Sequence, residues 1–225
     1  MERIRTLERR PQVKQAGPPP LLVMLHGFGS NENDLMGMAP YLDERFHIIS
    51  LRGIFSLGSW MGAAWYILNG TPGNLIPDPE SRAHAIVVLH KFLSDLPARL
   101  NADPRRMYLL GFSQGGDMAL ALALAAPDLV AGVAVLSGYL GTDTLPDVQP
   151  EAVRHLHMLV QHGTADAVVS VAQGQRVRNF LQGLPVALTY AEYPIDHSVH
   201  QDGFAVLRRW LTERIDETEQ ANRDE

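Results

Sequence analysis

Six short apolar runs punctuate the chain, and stretches with helical periodicity lie between them. Residues 21–25 (LLVML), 46–51, 107–110, 130–136, 156–160 and 186–190 are apolar at nearly every position. Runs of that kind suit strands buried on both faces of a parallel sheet. Residues 3–8 add an expected edge strand. Helices are predicted over 33–42, 81–100, 114–125, 171–181 and 202–213. In the longest, Ala85, Val88, Leu89, Phe92, Leu93 and Leu96 recur at helical spacing. Pro97 should kink it near its end, and Pro127 should stop the helix before it. The first helix has Asn31 or Asn33 as its expected cap. This strand–helix alternation predicts an α/β architecture: one domain over residues 1–216, with a mostly parallel sheet and helices on both faces.

Two segments break the alternation. Residues 53–79 are rich in Gly, Pro, Trp and Asn and show no period. A connection that long is expected to be functional. Residues 217–225 are polar and charged and should form a frayed tail. No insertion is long enough to build a large cap.

Composition narrows the function classes. Hydrophobic residues make up 46% of the 225 positions, enough for a substantial core. The net charge is −6, and the N-terminal Arg3, Arg5, Arg9, Arg10 and Lys14 are diluted by Glu2 and Glu8; nucleic acid is not the expected partner. With no cysteine, disulfides, thiolate metal sites and cysteine nucleophiles are excluded. The charged start lacks the apolar core of a signal peptide, and no apolar run reaches the ~18 residues of a membrane span. A cytoplasmic location is therefore expected.

The candidate chemistry begins at Gly111-Phe112-Ser113-Gln114-Gly115-Gly116. It follows a predicted strand and opens a predicted helix. A G-x-S-x-G string in that setting puts the serine on a strained turn with its hydroxyl above the sheet. The bland alternative is a glycine-rich turn with an incidental serine. His26-Gly27-Phe28-Gly29-Ser30, after the first buried strand, offers a second feature. A serine nucleophile needs N–H donors aimed at the developing oxyanion. The amide after the nucleophile, Gln114, and one from an early strand–helix loop, Phe28, are the natural pair. Gln161-His162-Gly163-Thr164-Ala165-Asp166 places a carboxylate past a strand end. Asp166 can orient a histidine, or simply cap a turn. Among the nine histidines, His197 lies in the loop before the last helix and can swing over the sheet. His200 is its competitor. His26 and His162 read as braces of their turns. The order Ser113, Asp166, His197 is that of an α/β-hydrolase triad. Trp60, Trp65 and Tyr66 supply aromatic surface for an acyl chain or pack the core. Arg52 orients a carboxylate or makes a loop salt bridge.

These residues together resemble the phospholipase/carboxylesterase family of small serine hydrolases, the group that includes acyl-protein thioesterases and bacterial carboxylesterases. The likeness runs from about Leu21 to Leu211 and rests on Leu25-His26-Gly27-Phe28-Gly29, the Gly-Phe-Ser-Gln-Gly-Gly string, His162-Gly163-Thr164-Ala165-Asp166 and Asp196-His197-Ser198. It implies a single-domain α/β-hydrolase fold, Ser113, Asp166 and His197 as triad, and Phe28 and Gln114 as oxyanion donors. It places Val168 and the Trp60–Tyr66 loop at the acyl pocket. The implied activity is hydrolysis of small-molecule carboxylic esters with short to medium acyl chains, without metal or cofactor. Acyl-protein thioesterase or lysophospholipase activity at the same site is the alternative, ahead of a non-catalytic binding protein on the same fold; a homodimer stays open. The family usually has glycine where this chain has Asp196. That side chain either tunes His197 or points to solvent. The 51–66 segment looks like the bacterial esterase branch.

Overall fold

The computed structural model describes residues 4–58, 60–71, 74–141 and 148–224. Arg3 and Glu225, at the outer ends of the expected edge strand and tail, lie outside them, as do Ser59, Pro72 and Gly73 of the long connection. The strands, in chain order, are Thr6–Arg9 (β1), Leu21–Leu25 (β2), His47–Leu51 (β3), Phe55–Ser56 (β4), Ala63–Ala64 (β5), Leu68–Thr71 (β6), Asn74–Pro77 (β7), Met107–Phe112 (β8), Gly132–Leu136 (β9), His157–Gly163 (β10) and Ala187–Tyr193 (β11). Seven of them form one sheet in the order β1-β3-β2-β8-β9-β10-β11. Only β1 runs antiparallel, against β3. The other neighbours are parallel.

The α-helices are Pro79–Leu100 (α1), Gln114–Ala125 (α2), Pro150–Val153 (α3), Val171–Gln182 (α4) and Gln201–Asp224 (α5). Because side chains alternate along a strand, each strand feeds two cores. Leu21, Val23 and Leu25 of β2 pack with Leu89 and Leu93 of α1, Met118 of α2 and Val177 of α4. Leu22 and Met24 pack on the opposite face with Leu207, Trp210 and Ile215 of α5. Helices thus cover both faces, and the whole forms one domain with no large cap among the described residues.

The chain departs from the sequence expectations at several elements. Residues 35–41 form a 3₁₀ helix rather than an α-helix; Pro40 inside it withholds an N–H and Gly37 weakens the turn. Its entry is an Asx turn, Asn31 Oδ1 accepting from the Asn33 N–H at 2.9 Å. In α1, Asp78 caps the start by accepting from the Ser81 N–H, and Pro97 is carried within the helix, which ends on left-handed Asn101. The long connection contains two small antiparallel hairpins, β4–β5 and β6–β7. The polar segment after residue 216, expected to fray, continues α5 as far as Asp224.

Candidate active site

The loops that leave β2, β8, β10 and β11 at their C-terminal ends converge above the sheet, where ligand sites of open α/β sheets lie. Ser113 sits between β8 and α2 with φ 53° and ψ −117°. Holding a non-glycine residue there costs about 1–3 kcal/mol. The cost is borne because strand and helix are fixed on either side. The Ser113 N–H donates to Leu136 C=O at 2.9 Å, and the Ser113 C=O accepts from the Gly116 N–H at 2.9 Å. The helix approaches β2 so closely that a Cβ on residue 115 would lie 2.0 Å from the Leu25 oxygen, so only glycine fits.

His197 meets this serine from the loop after β11. Its Nε2 lies 3.0 Å from Ser113 Oγ, and its Nδ1 lies 2.7 Å from Asp166 Oδ2. Phe112 packs against the imidazole, with ring centroids 4.9 Å apart. Asp166, buried past the end of β10, uses its other oxygen locally: Oδ1 accepts from the Val168 and Val169 amides at 2.9 and 2.8 Å. The loops bearing Asp166 and His197 are bonded to each other, through Thr164 N–H to Tyr193 C=O at 2.7 Å and Ala165 N–H to Ile195 C=O at 3.0 Å.

The two residues expected to supply oxyanion donors line the same space. Gly27–Ser30 is a tight turn closed by Ser30 N–H to Gly27 C=O at 3.2 Å, with Gly29 at φ +80°, as a type II turn demands. The closing bond leaves the Phe28 amide outside it. The Gln114 amide is the first of α2, and the first N–H groups of a helix have no acceptor within it. Phe28, Ser113, Gln114 and His197 all line one cleft of about 670 Å³.

Buried side chains brace these loops. His26 Nε2 accepts from the Gly53 N–H at 2.9 Å. Its proton therefore resides on Nδ1, which donates to Gly27 C=O at 2.7 Å. Burial pushes the His26 pKa down, against the opposing pull of that carbonyl. The Gln114 side chain grips the long connection at two points: Oε1 accepts from the Trp65 N–H at 2.9 Å, and Nε2 donates to Tyr66 C=O at 2.8 Å.

Behind the elbow lies a polar cluster that the sequence reading missed. Arg82 of α1 pairs with Asp117 of α2, Nε to Oδ2 at 2.7 Å and Nη2 to Oδ1 at 2.8 Å. Both side chains are fully buried. Tyr66 Oη donates to Asp117 Oδ2 at 2.7 Å, so the 2.6 Å contact with Tyr139 is donated by Tyr139. Gly141 N–H completes the shell of Asp117 at 2.8 Å. Burial works against the Arg82 charge, yet bonding to Asp117 outweighs it and raises the arginine's pKa. The Tyr66 pKa is raised by burial and by the Asp117 charge.

The remaining expected site residues divide. Val168 lines the cleft. Trp65 and Tyr66 do not: both are fully buried in the core, with the indole N–H donating to His26 C=O at 2.8 Å. Their position is a correction to the acyl-pocket expectation, because the Gln114 grip turns this stretch inward. Trp60 is 98% exposed and lies outside the lining of the cleft. Arg52 makes a loop salt bridge with Glu32 at 3.1 Å. His200 stacks on Tyr193, with centroids 5.1 Å apart, and its Nδ1 accepts from the Asp202 N–H. Asp196 is exposed, its carboxylate accepting from Ser198 Oγ at 2.6 Å. Among the described residues no group of three or more His, Asp or Glu is placed to hold a metal, and no helix is long and apolar enough to cross a membrane.

Residues 11–215 match the family described as Phospholipase/Carboxylesterase. Carboxylesterase SOBER1 of Arabidopsis thaliana is 29% identical over 140 residues, 61% of this chain and 61% of that protein. Lysophospholipase-like protein 1 of Mus musculus is 34% identical over 127 residues, 55% of this chain and 53% of that protein. The chain thus spans little more than half the length of these curated relatives. A Bacillus cereus carboxylesterase structure shares the α/β-hydrolase fold, with a TM-score of 0.81 at 19% identity and 94% of each chain covered.

Proposed function

The chain belongs to the phospholipase/carboxylesterase family, and from that premise we propose that it hydrolyses carboxylic esters with short to medium acyl chains, Ser113 being the nucleophile, His197 the base and Asp166 the acid that orients it. The observation that carries this reading is the continuous relay from Ser113 Oγ through His197 to Asp166, at 3.0 and 2.7 Å, with Ser113 and His197 lining a cleft of small-molecule size. In this reading Ser113 Oγ attacks the ester carbonyl and its proton passes to His197 Nε2. The oxyanion is received by the Phe28 and Gln114 amides. Collapse of the adduct expels the alcohol, which takes the proton from His197 and leaves an acyl-serine. Water, deprotonated by His197, then attacks the acyl carbon and releases the acid.

The test is a ladder of p-nitrophenyl esters of increasing acyl length, run beside matched acyl thioesters. Wild type should turn over the esters, and Ser113→Ala should lose on the order of 10⁶-fold in kcat. A fluorophosphonate should label wild type once and the variant not at all. A folded Ser113→Ala protein that keeps a tenth of the rate would remove the nucleophile assignment. A thioester preference along the ladder would replace carboxylesterase with acyl thioesterase as the activity.

A further inference from the structure

We propose that the cleft selects esters that carry an anionic group, and that Arg176 is the specificity-determining residue that receives it. The proposal rests on the ester-hydrolase reading above. Ser170, Gln173 and Arg176 lie one helical turn apart at the start of α4, and all three line the cleft that holds Ser113. They share a helix face because residues three apart do so. Two arginines among the described residues line this cleft. Arg82 is fully buried and held in a bidentate pair by Asp117, so its charge is compensated within the protein. Arg176 is exposed, and among the described residues no carboxylate forms an ion pair with it. Its neighbour Arg178 is differently employed, lying 5.0 Å from the Tyr190 ring centroid and donating to Asn179 Oδ1.

The opposite bank has the other sign. Asp34 lines the cleft beside Ser30, whose Oγ donates to it at 2.7 Å. The topology separates the two charges. Asp34 follows β2, on one side of the strand that carries Ser113; α4 follows β10, two strands away on the other side. The reacting serine therefore lies between a carboxylate bank and a guanidinium bank. A carboxylate on the substrate is attracted toward α4 and repelled from the Asp34 side. A guanidinium, always charged and with a planar fork of donors, suits such a group.

The experiment compares kcat/KM for mono-p-nitrophenyl adipate with that for p-nitrophenyl hexanoate, in wild type, Arg176→Gln, Arg176→Glu and Arg176→Lys. The leaving group is shared, so the adipate-to-hexanoate ratio isolates the distal carboxylate. A second pair, hexanoyl esters of 4-hydroxybenzoate and 4-hydroxybenzamide, puts the charge on the alcohol half. In one of the two pairs the ratio should fall about fivefold in Arg176→Gln, fall further in Arg176→Glu, and stay near wild type in Arg176→Lys. In wild type that ratio should also drop as salt rises from about 50 to about 500 mM, and in Arg176→Gln it should not. Equal ratios across all four proteins in both pairs would overturn the assignment of Arg176. Failure of wild type to cleave any of these esters would overturn the ester-hydrolase reading instead.

Discussion

Asp166 meets two demands with its two oxygens. Oδ1 ties down the Val168 and Val169 amides, and Oδ2 faces His197. Turn-capping and histidine-orienting, rivals on sequence grounds, are both fulfilled by one side chain. Gln114 is double in the same way. The residue lines the cleft, while its side chain holds the Trp65–Tyr66 backbone. Gln114→Glu tests the second role. It keeps the shape and the main-chain amide but puts an oxygen where Nε2 now donates to Tyr66 C=O, and a buried acceptor without a donor costs about 1–3 kcal/mol. Displacement of the adjoining elbow should then lower kcat by ~10²-fold, since misplacement by an ångström costs that much. Measuring kcat and KM at temperatures well below the melt checks it. A lower melting temperature with kcat untouched would restrict the Gln114 side chain to scaffolding.

At the scale of elements, legibility followed the strength of the local signal. The buried strands and α2 are readable because unbroken apolar runs and a glycine-bounded serine leave few alternatives, and β1 is readable from its position as an edge. The Ser113, Asp166 and His197 segments are legible for the same reason: each lies in a turn or loop that follows a strand whose pattern is plain. The small hairpins β4–β5 and β6–β7 are too short to imprint a period. The 3₁₀ turn at 35–41 carries apolar spacing suited to an α-helix, overruled by Pro40. The Arg82–Asp117 pair is invisible in sequence because its partners lie 35 residues apart and meet only once α1 packs on α2. That pair has a large predicted effect. Asp117→Ala leaves a fully buried guanidinium uncompensated, a loss of about 3–5 kcal/mol. The melting temperature should fall by roughly 10 °C. The double variant Arg82→Met/Asp117→Leu should be milder than Asp117→Ala, because it removes both charges together. Thermal melts of the three proteins decide it, and a double variant less stable than the single would contradict this account.

For the whole molecule, proton uptake sets an acid limit on stability. His26 and His157 both have depressed pKa values, the first chiefly through burial and the second through burial reinforced by Arg214. An unfolded histidine takes up its proton near pH ~6.5. Below that value the unfolded chain binds more protons than the folded one, so stability declines as pH falls. The urea midpoint should drop between about pH 7 and about pH 5.5, and His157→Asn should show a smaller drop. An equal drop in both proteins would remove His157 from the explanation. The sheet order carries a different consequence. Ser113 is anchored to the central strand β8, whereas Asp166 and His197 hang from β10 and β11, bonded to each other, and β11 is an edge strand, paired only with β10. Edges open locally at lower free energy than cores do. Under the proposed mechanism, turnover is therefore a gauge of the margin of the sheet and not of its centre. Under that mechanism each excursion of β11 parts His197 from a Ser113 that keeps its place, and the active fraction at any instant is the fraction of molecules whose margin is closed.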